Sequence, residues 1–268
     1  MSVEGERVER IAGLLAAAPK YRNISRETLA RVASWALVRY RSDKEILKAA
    51  KRKLHQVYAA YLSPKAAVRL AQLIASHREP RTMCREALSY HVSTTERLPI
   101  LEELYGRIFA VTGIPNRVLD LACGLHPFGL PWMGLPEAAT YHAMDIDCEL
   151  MALLGGFFSK ELVAECRDVL VRPPQEPYDL AFLLKALPIL EQQERGASLR
   201  LLRALNARHA VLSFPVHSLG GRSKGMEEHY SALAEELVVT LGTDAEVLRY
   251  PSEIFYVVKL ASSPRSPR

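Results

Sequence analysis

Asn116-Arg-Val-Leu-Asp-Leu-Ala-Cys-Gly124 is the stretch on which the reading of this chain turns. Val118, Leu119 and Leu121 form a short apolar run with Asp120 inside it, and the run stops at a glycine. A run this short, bounded by a turn signal, suits a strand buried on both faces. Glycine at its end lets a ligand approach the backbone without a Cβ in the way. Alone the pattern is commonplace, because many strands end in a glycine turn. Its surroundings make it informative. Further apolar runs follow at residues 140–147, 164–170, 178–190 and 208–215, separated by stretches with helical spacing. Residues 246–250 and 254–260 close the chain as a hairpin-like pair. Strands alternating with helices predict a doubly wound α/β sheet.

In such a sheet, ligands sit beyond the carboxyl ends of the strands, where the strand order reverses. The residues at those ends are therefore the candidates for chemistry. Asp145 lies 21 residues after Gly124, at the end of the second run. An acid at about that distance can accept both hydroxyls of a ribose. Asp145 and Asp147 also suit the cap of the helix that follows. Asp168 ends the third run, where a carboxylate can take the exocyclic amine of an adenine or serve as a turn residue. In the fourth run Lys185 follows Leu184. A lysine in so apolar a stretch needs a partner or must snorkel outward.

Upstream the texture differs. Residues 1–97 hold 19 basic and 9 acidic residues, a charge of +10, while the whole chain carries +5. The remainder is thus −5. A +10 segment on a mildly acidic body has the balance of a polyanion-binding module, although arginine-rich helices also serve solubility. Val8, Ile11, Leu14 and Leu15, and then Leu29, Val32, Trp35 and Ala36, recur at helical spacing. Ser25 with Thr28, Ser42 with Asp43, and Ser63-Pro64 mark helix starts. Three parts are expected: a basic helical region 1–97 with the balance of a polyanion-binding module, a sheet domain 98–262 and a frayed polar tail 263–268.

Composition narrows the setting. At 49% apolar and 24% charged the chain is an ordinary globular one. No apolar run approaches the roughly 20 residues of a membrane span, and the acidic N-terminus lacks a secretory pattern, so a cytoplasmic protein with no membrane partner is expected. Cys84, Cys123, Cys148 and Cys166 contain no C-x-x-C pair. No metal site is expected, and all four read as reduced thiols filling space.

Four segments together resemble one family. They are residues 53–62, residues 91–98 (His91-Val-Ser-Thr-Thr-Glu-Arg-Leu98), residues 118–130, and Ser213-Phe-Pro-Val-His-Ser-Leu-Gly-Gly-Arg-Ser-Lys-Gly-Met-Glu-Glu-His-Tyr230. Asp145-Ile-Asp147 and residues 182–193 agree as well. The chain resembles, over roughly residues 10–260, the aminoglycoside-resistance 16S rRNA methyltransferases that modify N7 of guanine-1405 in the decoding site. The resemblance implies a Rossmann-like class I methyltransferase sheet with a helical N-terminal domain. It implies S-adenosyl-L-methionine as cofactor and, as partner, 16S rRNA within the 30S subunit, with the protein a monomer. Position by position, it implies a cofactor pocket of Tyr61, His91, Val92, Ser93, Arg97, Ala122, Asp145, Asp168, Val169, Leu184 and Gln193. Arg97 would hold the methionine carboxylate, Asp145 the ribose, and Asp168 with Val169 the adenine edge. In one place the chain departs: where the family pattern has Asn, it has His126.

The implied chemistry asks little of acids and bases. Guanine N7 is an unprotonated lone pair at neutral pH, so in-line placement matters more than proton transfer. Lys185 and Asp168 are expected to act by shaping the site. The loop after the fifth strand offers Arg222 and Lys224, and with Lys48, Lys51, Arg52, Lys53 and Arg69 these would make a basic track for RNA backbone. The alternatives are a methyltransferase for another rRNA base or a small molecule, and a non-catalytic RNA-binding protein.

Overall fold

A computed structural model of the chain describes residues 2–58, 64–76, 79–216 and 226–260. Three helices come first: α1 (Val3–Ala16), α2 (Arg26–Leu37) and α3 (Asp43–Tyr58). Their starts follow from local chemistry. Ser25 Oγ accepts from the Thr28 amide at 3.2 Å, capping α2. Ser42 Oγ accepts from the Glu45 amide at 3.3 Å, capping α3, and donates to Glu45 Oε2 at 2.7 Å. The apolar stripes meet in a cluster of their own, with Ile11, Leu15, Leu29, Val32, Ala36, Ile46 and Leu54 buried. Leu14, which the periodicity also placed on that stripe, is 47% exposed.

Then come α4 (Pro64–Ile74), α5 (Pro80–Leu88), the short α6 (Val92–Thr95) and α7 (Leu101–Thr112). Leu70, Leu73, Met83 and Leu88 from α4 and α5 pack into the same cluster as Tyr105 and Ile108 of α7 and residues of the sheet. The second half of the basic segment thus shares its core with the sheet, whereas α1–α3 has its own.

The sheet has seven strands: β1 (Arg117–Leu121), β2 (Thr140–Asp145), β3 (Leu162–Cys166), β4 (Tyr178–Leu184), β5 (Ala207–Pro215), β6 (Ala245–Arg249) and β7 (Glu253–Lys259). Their order is β3-β2-β1-β4-β5-β7-β6. β1 to β5 run parallel, and β7 enters antiparallel between β5 and β6. This is the mixed α/β sheet expected from the sequence. Val118 packs on one face, with α7 and α8 (Cys148–Phe157), while Leu119 and Leu121 pack on the other. That second face is covered by α9 (Leu187–Gln193), α10 (Ala197–Ala204) and α11 (Met226–Leu241). Both faces being covered explains why the strands read as near-continuous apolar runs.

Two expectations are corrected here. The third strand occupies Leu162–Cys166, earlier than the 164–170 run, so Asp168 belongs to the loop beyond it. β3 is an edge strand with Val163 57% exposed, and its weak apolar signal displaced the reading. The cysteines are not all free thiols. Cys148 and Cys166 form a disulfide, with Cα atoms 4.8 Å apart. Parallel pairing sets Asp145 opposite Cys166, and Cys148 opens the helix three residues on, so the strand register brings the two together. Cys84 and Cys123 remain free and buried, and burial pushes the Cys84 thiol up to about 12.

Among the described residues no helix is long and apolar enough to cross a membrane. The α1–α3 unit is fastened to the sheet by backbone pairing. Ile24 and Asp147 form an antiparallel bridge, the Ser25 amide donates to the Ile146 carbonyl at 2.8 Å, and that of Cys148 to the Asn23 carbonyl at 2.8 Å. Ser25 therefore serves both the cap and the junction. Replacing Ser25 with Ala should cost about 1 kcal/mol, a melting-temperature drop of roughly 2–4 °C for a chain of this size. An unchanged thermal melt would show that its hydroxyl does not support α2.

Candidate functional site

The carboxyl ends of β1, β2, β3 and β4 and the residues just beyond them open into one cavity, which α2 and the segment around α6 close from above. β1 contributes Ala122 and Gly124, β2 Asp145, the loop after β3 Asp168 and Val169, and β4 Leu184 with Lys185. His91, Ser93 and Arg97 come from the helical side, and Gln193 from the end of α9. Nine of the eleven positions expected for the cofactor thus lie around a single space. Val92 is not among the lining residues and is 51% exposed. Tyr61 lies outside the described residues, as do Arg222 and Lys224.

Two backbone positions identify where the chain is held against its preference. Among the described residues, Ala122 (φ 50°) and Lys185 (φ 56°) are the non-glycine residues with left-handed φ. Both line the cavity, one residue beyond β1 and one beyond β4. Left-handed non-glycine residues carry a conformational cost that persists where surrounding structure imposes it, as at binding sites. At Lys185 the imposing bonds are visible: its amide donates to the Ser213 carbonyl at 3.1 Å and to Ser213 Oγ at 2.9 Å.

Asp145 is 1% exposed. Its Oδ2 accepts from the Gly124 amide at 3.0 Å and its Oδ1 from the Asp147 amide at 3.1 Å, so the loop after β1 is tied to the tip of β2. Gly124 has φ +50°, which favours glycine there. Burial, opposed by these amides, raises the Asp145 carboxyl to about 6. Asp147 caps α8, its Oδ1 accepting from the Glu149 and Leu150 amides at 3.1 Å. The two roles weighed for this pair are divided between them: Asp147 takes the cap and Asp145 faces the cavity.

Arg97 and Lys185 converge on a carboxylate that sequence reading missed. Glu253, at the start of β7 and fully buried, accepts from Arg97 Nε at 2.8 Å and Arg97 Nη2 at 2.7 Å. Lys185 Nζ lies 3.4 Å from Glu253 Oε2 and is also paired with Glu96, and Ser213 Oγ donates to Glu253 Oε1. Arg97 was expected to hold a ligand carboxylate, yet Nε and Nη2 are already engaged by Glu253. A ligand would meet the other N–H groups, two on Nη1 and one on Nη2, of a guanidinium already fixed in place. The signal for Glu253 is an acid placed directly before the apolar run Ile254-Phe-Tyr-Val-Val258.

Asp168 is met by α2, a helix assigned no site residue from sequence. Its Oδ2 accepts from Thr28 Oγ1 at 2.8 Å and from Arg31 Nε at 2.9 Å, and its amide donates to Glu27 Oε2 at 3.1 Å. Arg31 also donates to Gln193 Oε1 and lines the cavity. His126 does not. It is buried beneath the loop, with Nδ1 2.9 Å from Asp120 Oδ2 and Nε2 3.1 Å from the Tyr105 hydroxyl. Tyr141 donates to the same Asp120 oxygen at 2.7 Å. The departure at His126 therefore builds the core under the site and makes no contact with the cavity.

The basic residues of α3 divide in two. Lys48, Lys51 and Arg52 share the outer face, opposite buried Ile46, Ala50 and Leu54. Lys53 turns inward, donating to the Gln192 carbonyl at 2.7 Å and lying 5.2 Å from the Trp35 ring centre. Burial lowers its ammonium from the usual lysine range. Arg69 is exposed on α4.

Residues 17–257 match the family described as ribosomal RNA methyltransferase (FmrO). The chain is 35% identical over 271 residues to a 16S rRNA (guanine(1405)-N(7))-methyltransferase of Micromonospora rosea, an alignment covering 96% of this chain and 98% of that one. The protein of the same description from Micromonospora echinospora is 36% identical over 270 residues, again 96% and 98%. Among solved structures, that of the 16S rRNA methyltransferase RmtF in complex with S-adenosyl-L-homocysteine superposes with a TM-score of 0.81 at 32% identity, covering 96% of this chain and 99% of that chain.

The raised Asp145 carboxyl gives the site a pH signature. Because its pKa is above the ordinary carboxylate value, the stabilising contribution of this group is complete below about pH 4 and is lost as pH rises through about 6. A ribose contact at Asp145 would need the ionised form, so ligand affinity would run the opposite way. S-adenosyl-L-homocysteine binding, measured by calorimetry, should weaken by up to about tenfold per pH unit below 6. Asp145→Asn should bind more weakly and lose that dependence. A flat affinity profile from about pH 5 to 8 in the parent protein would remove Asp145 from the contact.

Proposed function

This chain belongs to the ribosomal RNA methyltransferase (FmrO) family, and from that membership we propose how its own residues carry out the reaction. It is a 16S rRNA (guanine(1405)-N(7))-methyltransferase that uses S-adenosyl-L-methionine. The observation that carries the assignment to particular residues is the cavity at the strand tips, where Asp145, Asp168, Arg97 and Lys185 converge. These residues fit the cofactor. A buried carboxylate on β2 suits the ribose, Asp168 with Val169 an adenine edge, and the anchored Arg97 a terminal carboxylate. When bound, the cofactor supplies an electrophilic methyl group on a sulfonium.

The chain's own work is positional. Guanine N7 reaches the methyl carbon with its lone pair free, so no side chain has to accept a proton. Lys185, turned into the cavity by its left-handed backbone and held by Glu96 and Glu253, gives the floor a fixed shape and charge. Asp168 fixes the adenine end. Alignment of nucleophile and methyl group can contribute several kcal/mol without acid–base help. Turning the nucleotide out of its stack would bring N7 to the cavity mouth.

The basic region 1–97 is read as the RNA-binding part and residues 98–262 as the methyltransferase domain. Lys48, Lys51 and Arg52 on the outer face of α3, with Arg69 on α4, form a track for phosphates, and Arg222 and Lys224 would extend it. The assembled 30S subunit in the cytoplasm is the substrate, approached by a monomer. Methylation there would confer resistance to 4,6-disubstituted deoxystreptamine aminoglycosides such as kanamycin and gentamicin.

Small subunits incubated with the protein and methyl-labelled cofactor should be cleaved at guanine-1405 by chemistry specific for N7-methylguanine. Label elsewhere, or none, would overturn the assignment. Asp168→Ala and Lys185→Ala should each lower kcat/KM by more than about threefold, and rates inside that margin would deny them a part in shaping the site. Four phosphate contacts imply an affinity loss of roughly a hundredfold between 50 and 200 mM salt, and Lys51→Ala should reduce the logarithmic slope by about one. Salt-independent binding would remove the electrostatic track.

A further inference from the structure

We propose that Arg31 on α2 is a positioning residue for adenine recognition. It fixes Asp168 and Gln193 from the helical unit, so that the group reading the adenine amine is held by the part of the chain nearest the RNA-binding face. The proposal rests on the reading of Asp168 given above. Oxygen accounting comes first. Asp168 Oδ2 already accepts from Thr28 Oγ1 at 2.8 Å and from Arg31 Nε at 2.9 Å, while Oδ1 accepts from the Leu170 amide at 3.0 Å. A carboxylate oxygen takes about two such bonds. Oδ2 is therefore filled, and Oδ1 has room for one further N–H. Arg31 and Thr28 decide which oxygen meets the ligand.

The same guanidinium donates to Gln193 Oε1 through Nη2. That contact orients the Gln193 amide, and both partners line the cavity with Arg31 itself. The ion pair is largely sheltered, with side-chain exposures of 19% for Arg31 and 3% for Asp168. Bridging a carboxylate and an amide from one planar fork is a task lysine can do only in part. By linkage, an adenine that engages Asp168 strengthens the grip of α2 on the strand tips, and a well-seated α2 strengthens adenine binding by the same factor.

The test uses full-length Arg31→Gln, Arg31→Lys, Asp168→Asn and the Arg31→Gln/Asp168→Asn double variant. Calorimetry gives the Kd of each for S-adenosyl-L-homocysteine and for S-inosyl-L-homocysteine, which carries an oxygen in place of the adenine amine. The parent should prefer the adenosyl ligand by about 10- to 100-fold, the scale of a hydrogen bond to a charged group. Arg31→Gln should lose most of that preference, Arg31→Lys should retain part of it, and the double variant should do no worse than Asp168→Asn. A merely structural role would weaken both ligands alike. Unchanged preference in Arg31→Gln, or additive losses in the double variant, overturns the proposal while leaving the reading of Asp168 intact. Unchanged preference in Asp168→Asn overturns both. If Arg31→Gln does not fold, Arg31→Lys decides: intermediate preference supports the proposal and parental preference defeats it.

Discussion

Burying carboxylates is the constraint around which this structure is arranged. Asp120, Asp145, Asp168 and Glu253 are each no more than 2% exposed, and a buried charge without partners is strongly destabilising. Each is answered differently. Asp145 is held by amides of its own loop and of the loop after β1. His126 and Tyr141 hold Asp120, whose Oδ1 has no hydrogen-bond partner among the described residues. For Glu253 the partners are Arg97 and Lys185, and for Asp168 they are Thr28 and Arg31. Two of the four solutions, those of Glu253 and Asp168, therefore draw on elements distant in sequence. Sheet and helices are locked together by those polar contacts as well as by apolar packing.

That distribution explains what the sequence disclosed. Strands β1, β2, β4 and β5 were legible because burial on both faces writes an unbroken apolar run. Asp145 was legible because the spacing from the glycine turn to the second strand's tip is set by one strand–helix–strand unit. Arg31 and Glu253 were not, since their partners are 137 and 156 residues away and no local period marks them. α2 shows its apolar stripe clearly, yet nothing in that stripe says what its opposite face meets. The disulfide was hidden similarly. A spacing of 18 reads as unrelated cysteines until parallel register places Cys166 beside Asp145. His126, marked in the sequence only by its departure from the family pattern, belongs to the core because the chain after Gly124 turns down in a 3-10 helix.

The chemistry accounts for where strain and charge are concentrated. Transfer to a nitrogen lone pair places its demand on geometry, and geometry is what buried ion pairs and forced backbone supply. Lys185 and Ala122 hold left-handed φ angles at the tips of adjacent strands, on the two sides of the point where the order of connections reverses. Ser213 fixes the first of these through two bonds to one amide and also donates to Glu253. The floor of the cavity is thus a single connected set in which moving one member disturbs the others.

The roof obeys the same logic, and this bears on how the two halves work together. The segment 23–25 pairs with 146–148, directly after Asp145, while α2 reaches Asp168 and Gln193. Lys53 on α3 reaches Gln192. The ligand-facing tips of β2 and β3 and the end of α9 are therefore the surfaces on which the helical unit stands. A force on the outer face of α3, where phosphates would bind, has a short path to Asp168 through α2. A free linker between the two functions would give no such path. Because Asp168 is partnered chiefly from α2, the helical unit supplies the counter-charge that a carboxylate buried at the strand tips requires, and the backbone pairing of 23–25 with 146–148 holds that contact in register.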